Sequence, residues 1–270
     1  MSVVEAGTAV ERTDVRRPGL AAAVRAEWVK LRSVRSTWWT LIATFALGAG
    51  LTILMCWANA DWLASAEADE SPGSFITWGM IVAQITAVVL GALVVTPEYA
   101  TGMIRTTFAA VPARGRVLFA KSVVLVTLLL VVGTGTALVG YLGGNYFLDR
   151  EGIGMSLEGD VLRAMYGSGL YLAGIGLFTV AVGFLLRHTA ATISAVLALM
   201  LILGTMVNLV PGEFGLWLTR LMPGNAGSAL ATPVSFNPDL LAPWTGFAVF
   251  VLETAVLLAL AWVAVRKRDA

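Results

Sequence analysis

The sequence predicts an all-α membrane protein: six transmembrane helices preceded by an amphipathic interfacial helix, with both termini on the cytoplasmic side. Three observations predict it. First, 58% of the 270 residues are hydrophobic and only 13% are charged, against roughly 25% charged in a soluble globular protein. Second, the apolar residues fall in six runs near the ~20 residues that a bilayer-spanning helix needs. These lie at about 38–58, 75–96, 122–142, 164–186, 189–210 and 244–265. Third, the basic residues are lopsided. The N-terminus, the 97–121 loop, the 187–188 turn and the C-terminus hold 15 of the 18 Arg and Lys, and the 59–74, 143–163 and 211–243 loops hold three. Loops rich in Arg and Lys stay in the cytoplasm, which assigns the first group to the inside.

Residues 1–18 are polar and expected to be disordered. Residues 19–270 are expected to form a single transmembrane domain with no separate soluble unit. Within 19–37, Leu20, Val24, Trp28, Leu31 and Val34 recur at helical spacing and share one face. Arg25 and Arg32 flank that face on one side and Lys30 on the other, as a helix lying in the membrane plane needs if their stems are to reach lipid phosphates. Glu27 falls inside the apolar arc, a conflict that points to a specific partner. The plainer alternative is a basic juxtamembrane segment that only fixes topology. The first apolar run begins near Trp38 behind this charged segment, so it is read as a span and not as a signal peptide. The fourth and fifth spans are separated only by Arg187 and His188, which predicts a tight hairpin. The 211–243 loop carries five prolines and an apolar patch from Phe214 to Leu218. It reads equally as short broken helices in the outer interface and as an ordinary loop anchored by a tryptophan. Fifteen Arg against three Lys, with abundant Ala, Val and Gly, looks like the product of a GC-rich bacterial genome, and so of a bacterial cell membrane.

Enzyme chemistry finds no support. The single histidine, His188, and the Gly-flanked Ser168 sit at opposite ends of one span, roughly 30 Å apart at 1.5 Å per residue. One His and one Cys, Cys56, cannot build a metal centre or a disulfide. A phosphate-binding loop needs Gly-Lys-Ser/Thr, yet Lys30, Lys121 and Lys267 follow Val29, Ala120 and Arg266. No catalytic residue, metal ligand or bound cofactor is therefore expected in this chain, and nothing points to nucleic acid. Any ATP-driven work would need ATP and Mg on a separate partner.

The 97–121 loop is the most informative stretch. Pro97 is expected to end the second span. Ile104, Phe108 and Val111 then recur at spacings of four and three, a short helix with an apolar stripe suited to a groove on a soluble partner or to the membrane surface. Glu98 stands where it can pair with a basic group, and Arg105 and Arg114 where they can meet acidic groups.

Three segments together resemble the permease subunits of ABC-2 type ATP-binding-cassette transporters, especially bacterial ones encoded as separate polypeptides. They are Glu27-Trp28-Val29-Lys30-Leu31-Arg32-Ser33, Glu98-Tyr99-Ala100-Thr101-Gly102-Met103-Ile104-Arg105, and Pro112-Ala113-Arg114 leading to Ala120-Lys121. Each is short; their order and position carry the resemblance, which covers nearly the whole chain. It implies an elbow helix holding Glu27, Trp28, Lys30 and Arg32. It implies a coupling helix that meets an ABC ATPase subunit through Glu98, Tyr99, Gly102, Ile104, Arg105, Phe108, Val111 and Arg114. It further implies a homodimer or paired permease in the lipid bilayer, and outward transport. The second and fifth spans resemble those lining the central path, which makes Gln84, mid-way along the second, and Asn208, near the outer end of the fifth, candidates for that path; the plainer reading of each is a structural interhelical hydrogen bond. Gly169, Ala173, Gly176 and Gly183 share a face of the fourth span and read as a close-packing surface. Two rivals stand beside the exporter: an ion-coupled secondary transporter, for which the mid-span Glu253 is a lone carboxylate, and a non-transporting membrane anchor or sensor subunit.

Overall fold

The computed structural model describes residues 19–110, 113–235 and 237–267. Among them the chain is helical throughout, with no strand, and six helices are long and apolar enough to cross a membrane. They fall where the six apolar runs lie. Their ends run further, because backbone hydrogen bonding continues past the point where side chains turn polar.

A 14-residue helix, α1 (Leu20–Ser33), is joined to the first long helix, α2 (Arg35–Leu63), by Val34 alone, in extended conformation. The second span begins with a one-turn helix, α3 (Pro72–Phe75), breaks, and resumes as α4 (Met80–Ala100). Gly79 sits at that break, where a Cβ would collide with the Gly48 carbonyl of α2, and its N–H donates to Thr52 Oγ1 at 3.0 Å. Pro97 does not end this helix. It lies inside the last turn, and the chain leaves the helix only at Gly102, whose φ of 71° is left-handed. A proline this close to a C-terminus removes a single N–H, so a glycine is the stronger stop.

Past Gly102 come a short helix, α5 (Met103–Ala110), and a 37-residue helix, α6 (Arg114–Arg150). The fourth span, α7 (Gly159–Leu186), is central and packs on α4, α6 and α12 (Pro243–Lys267). Its glycines explain the close approach: a Cβ at Gly169 would meet the Leu130 carbonyl of α6 at 2.6 Å, and one on Gly91 of α4 would meet the Gly176 carbonyl at 2.8 Å. The predicted hairpin is present. Arg187 is left-handed, with φ 57°, and His188 caps the next helix by accepting the Ala191 N–H at 3.2 Å. The fifth span is irregular. It starts as α8 (Thr189–Leu197), passes through a π-helical turn (Ala198–Leu203) and a three-residue α9 (Gly204–Met206), and ends in 3-10 form at Leu209. The 211–243 stretch contains short broken helices, α10 (Gly212–Leu221) and α11 (Pro223–Ser228), and a 3-10 turn over 229–231. Phe214 and Trp217 of α10 are exposed, whereas α11 is tucked against α12 and α7.

The four segments rich in basic residues meet at one end of the bundle, here the terminal face. Lys30 of α1 pairs with Glu98 at the end of α4, Arg114 at the start of α6 reaches the Val265 carbonyl of α12, and Arg187 of the hairpin lies 5.0 Å above the Tyr99 ring. Cysteine labelling of intact cells is expected to modify Ser65→Cys and Ser156→Cys, which are exposed at the opposite, distal end, and to spare Thr101→Cys. The native Cys56 is fully buried and gives little background. External labelling at position 101 would invert or break the six-span arrangement.

Candidate functional site

The site at the terminal face is a buried charge cluster. Lys121, two turns into α6, is 1% exposed and is among the largest fully buried side chains. Its ammonium has three donors, and all are used. Nζ donates to Glu98 Oε1 at 2.6 Å, to Glu27 Oε2 at 2.8 Å and to the Val94 carbonyl at 3.0 Å. Lys30 closes the ring, donating to Glu98 Oε1 at 3.0 Å and Glu27 Oε1 at 3.2 Å. Burial alone would lower the Lys30 ammonium, but the Glu27 and Glu98 carboxylates beside it outweigh that and hold it above its ordinary value. Two acids and two bases leave the cluster formally neutral. That balance is what permits four ionic groups so close to an apolar core. A cavity of about 380 Å³ opens onto it, lined by all four of these side chains, by apolar residues chiefly of α4, and by Ser36 and Thr37 of α2.

The cluster explains why Glu27 interrupts an apolar arc. The face that α1 turns to the bundle is Ala23 and Glu27, and the arc is largely left outside: Leu20, Trp28 and Val34 are exposed and only Val24 and Leu31 are half-buried. Lys30 does not extend toward lipid phosphates; two carboxylates hold it inward. Trp28 and Arg32 take no part in the cluster, although the Arg32 carbonyl accepts the Trp38 indole N–H at 2.9 Å. At the other edge Tyr99 packs edge-on against Phe184 under the Arg187 guanidinium.

The α5 stripe is turned the opposite way from a docking helix. Ile104 is 2% exposed and Phe108 9%, both within the protein's own core, and the Arg114 guanidinium lies 5.3 Å from the Phe108 ring. The reason is the Gly102 turn, which folds α5 back under the bundle so that its apolar side finds cover in its own chain. Met103, Arg105, Thr106 and Ala109 form the outward face. Val111 lies outside the described residues. Lys121 was visible in the sequence only as the end of a motif. A lysine set within Val-Leu-Phe-Ala-Lys-Ser-Val-Val was the available sign of a buried cation in need of partners.

The two residues considered for a central path are separate. Gln84 is one turn into α4 and near the middle of the second span as a whole, and its Oε1 accepts the Tyr171 hydroxyl of α7 at 2.7 Å. That bond faces a cavity of about 320 Å³ at the distal end, between α4, α7, the π-helical turn and α11. Asn208 is exposed and lines no part of it; its Oδ1 accepts the Thr219 hydroxyl at 3.1 Å. Nearby, Arg163 pins the segment after the 229–231 turn. It donates to the carbonyls of Thr232 and Pro233 at 3.2 Å and pairs with Asp160 at 3.1 Å. No family model matches the chain, and no curated protein is similar to it.

Proposed function

We propose that this chain is the permease subunit of an ATP-driven exporter of the ABC-2 kind, paired with a second six-helix subunit and with separate ATPase subunits that hold ATP and Mg. The observation that carries the reading is the buried cluster of Glu27, Lys30, Glu98 and Lys121. It makes α1, the end of α4 and the start of α6 one rigid body at the most basic face. α5 is bolted into that body by Ile104 and Phe108, so a push on its outward face moves two spanning helices. An eight-residue helix without such anchoring would bend or fray before transmitting force. The exposed Leu20, Trp28 and Val34 suit α1 to the membrane interface as an elbow helix, and the absence of any Gly-Lys pair leaves nucleotide binding to another chain. Affinity isolation of the tagged chain from its host's membranes is expected to recover a Walker-motif ATPase in comparable amount. Recovery of the chain with no ATPase, under conditions that keep it monodisperse, would refute the exporter reading.

One observation favours the ion-coupled alternative. Glu253, mid-way along α12, is half-buried, and its Oε2 has no hydrogen-bond partner among the described residues. On the exporter reading the carboxylate has no role in coupling, so Glu253→Gln is expected to assemble and transport normally. Normal assembly with abolished transport in proteoliposomes carrying a proton gradient would transfer the case to a secondary transporter.

A further inference from the structure

The distal cavity has a wall chemistry unlike that of the lipid-facing surface. Ten of its lining side chains bear a hydroxyl or a carboxamide and none is charged. Most of these groups are committed to each other or to backbone: Thr205 to Leu201, Ser228 to Asn225, Asn225 to Gly204 and Thr219. Three on one wall are not. Ser74 is 1% exposed, Thr77 5% and Gln84 6%; Ser74 Oγ is buried with no hydrogen-bond partner among the described residues, and the Thr77 hydroxyl and the Gln84 amide nitrogen bond to no described residue. Buried polar groups are ordinarily satisfied, more so inside a bilayer, where water is scarce. One buried hydroxyl without a partner, on the same wall as a hydroxyl and an amide nitrogen that bond to no described residue, marks where a ligand's own polar groups belong. The opposite wall includes Met200 and Leu201 of the π-helical turn, a distortion that is frequent at functional sites.

The wall also selects the ligand. An ion leaving water for a cavity whose wall carries no opposite charge loses hydration that nothing repays, so charged headgroups are disfavoured. Hydroxyls both donate and accept and the Gln84 amide nitrogen donates, so the complement is a group with several hydroxyls. Trp78 also lines the cavity, and an aromatic ring of that kind suits the C–H side of a sugar ring. Met80, Ile81 and Leu240 give a path for an aliphatic tail. The volume lies at the lower end of pockets that hold small molecules, roughly 300–1,000 Å³, which suits one sugar ring and the first carbons of its chain. We propose that this cavity binds the neutral sugar headgroup of a glycosylated amphiphile. Binding here needs no ATPase, so the proposal stands or falls apart from the exporter reading.

The test uses the full chain in nanodiscs prepared free of sugar detergents, with tritiated octyl-β-D-glucoside below its micellar concentration as the probe. Saturable binding of one molecule per chain is expected. Octyl sulfate and octyltrimethylammonium should not displace it. Thr77→Val, which keeps the shape and removes no hydrogen bond, should weaken binding about tenfold, or ~1.4 kcal/mol, with an unchanged unfolding temperature. Gln84→Met should do the same with some loss of stability, since it also strips the Tyr171 hydroxyl of its acceptor. Non-saturable partitioning, equal displacement by the charged amphiphiles, or unaltered binding in Thr77→Val would overturn the proposal. So would stronger displacement by octanoyl-glycinamide, which would give the site to a peptide-like ligand.

Discussion

Lys121→Met is expected to destabilise the folded protein by about 3–5 kcal/mol, the usual cost of leaving a buried charge without its partner. Detergent-solubilised variant should show a sharply lower unfolding temperature and loss of the monodisperse peak on size exclusion. The cause is arithmetic within the cluster. Without Lys121, the carboxylates of Glu27 and Glu98 face each other across a space where only the half-exposed Lys30 remains, and the Val94 carbonyl loses its donor. Glu98→Gln in the Lys121→Met background removes the surplus negative charge and leaves Lys30 balanced against Glu27. The double variant should therefore recover a large part of the lost stability although it carries one more substitution. Native-like stability in the single variant, or a double variant worse than the single, would mean that the four side chains do not act as a unit. The same coupling predicts that Lys30→Met costs less than Lys121→Met, because Lys30 is partly open to solvent, which screens its pairing.

Much of the fold was legible in the sequence because a bilayer imposes lengths. A helix that must satisfy its own backbone across ~30 Å of hydrocarbon announces itself as a run of apolar residues, and six such runs became six helices. The basic residues marked which segments would meet, and Lys30, Arg114 and Arg187 do meet their neighbours on one face. What periodicity could not reveal was which side of a short amphipathic helix finds cover. In α1 the apolar stripe is mostly left outside and the polar interruption at Glu27 is buried; in α5 the stripe is buried in the chain's own core. Both outcomes depend on elements far away in sequence: Glu27 is 94 residues from Lys121. Pro97 misled for a related reason. Its local effect is real, but a helix in its last turn tolerates it, and the left-handed Gly102 sets the true boundary. At the distal end, Gln84 drew notice as a polar residue in a span, whereas nothing marked its partner Tyr171. Nothing local tells a buried tyrosine whose hydroxyl must be satisfied from one that reaches lipid headgroups.

The orientation of α5 separates two sets of variants that a docking helix with an outward apolar stripe would have merged. Ile104→Ala removes a side chain that is 2% exposed within the core. It is expected to cost roughly 2–5 kcal/mol of stability, as large-to-small core changes do, and to lower expression together with every activity. Thr106→Arg with Ala109→Arg acts on the exposed face. Surface changes of that kind usually stay within about 0.5 kcal/mol, so insertion and unfolding temperature should hold. If this face seats in a groove of the ATPase, two added guanidinium groups at its centre clash sterically and bring unpaired charge into a desolvated contact. A central disruption of this kind costs an interface at least ~2 kcal/mol, a thirtyfold or greater loss of affinity. The informative measurement pairs ATPase co-purification and stimulated ATP hydrolysis with thermal unfolding of the same preparations. Normal unfolding with lost coupling in the double arginine variant, beside lost stability in Ile104→Ala, places the contact on the outward face of α5. Full coupling in the arginine variant would remove α5 from the mechanism, and the cluster of Glu27, Lys30, Glu98 and Lys121 would then stand as the internal brace of a membrane anchor with nothing to transmit.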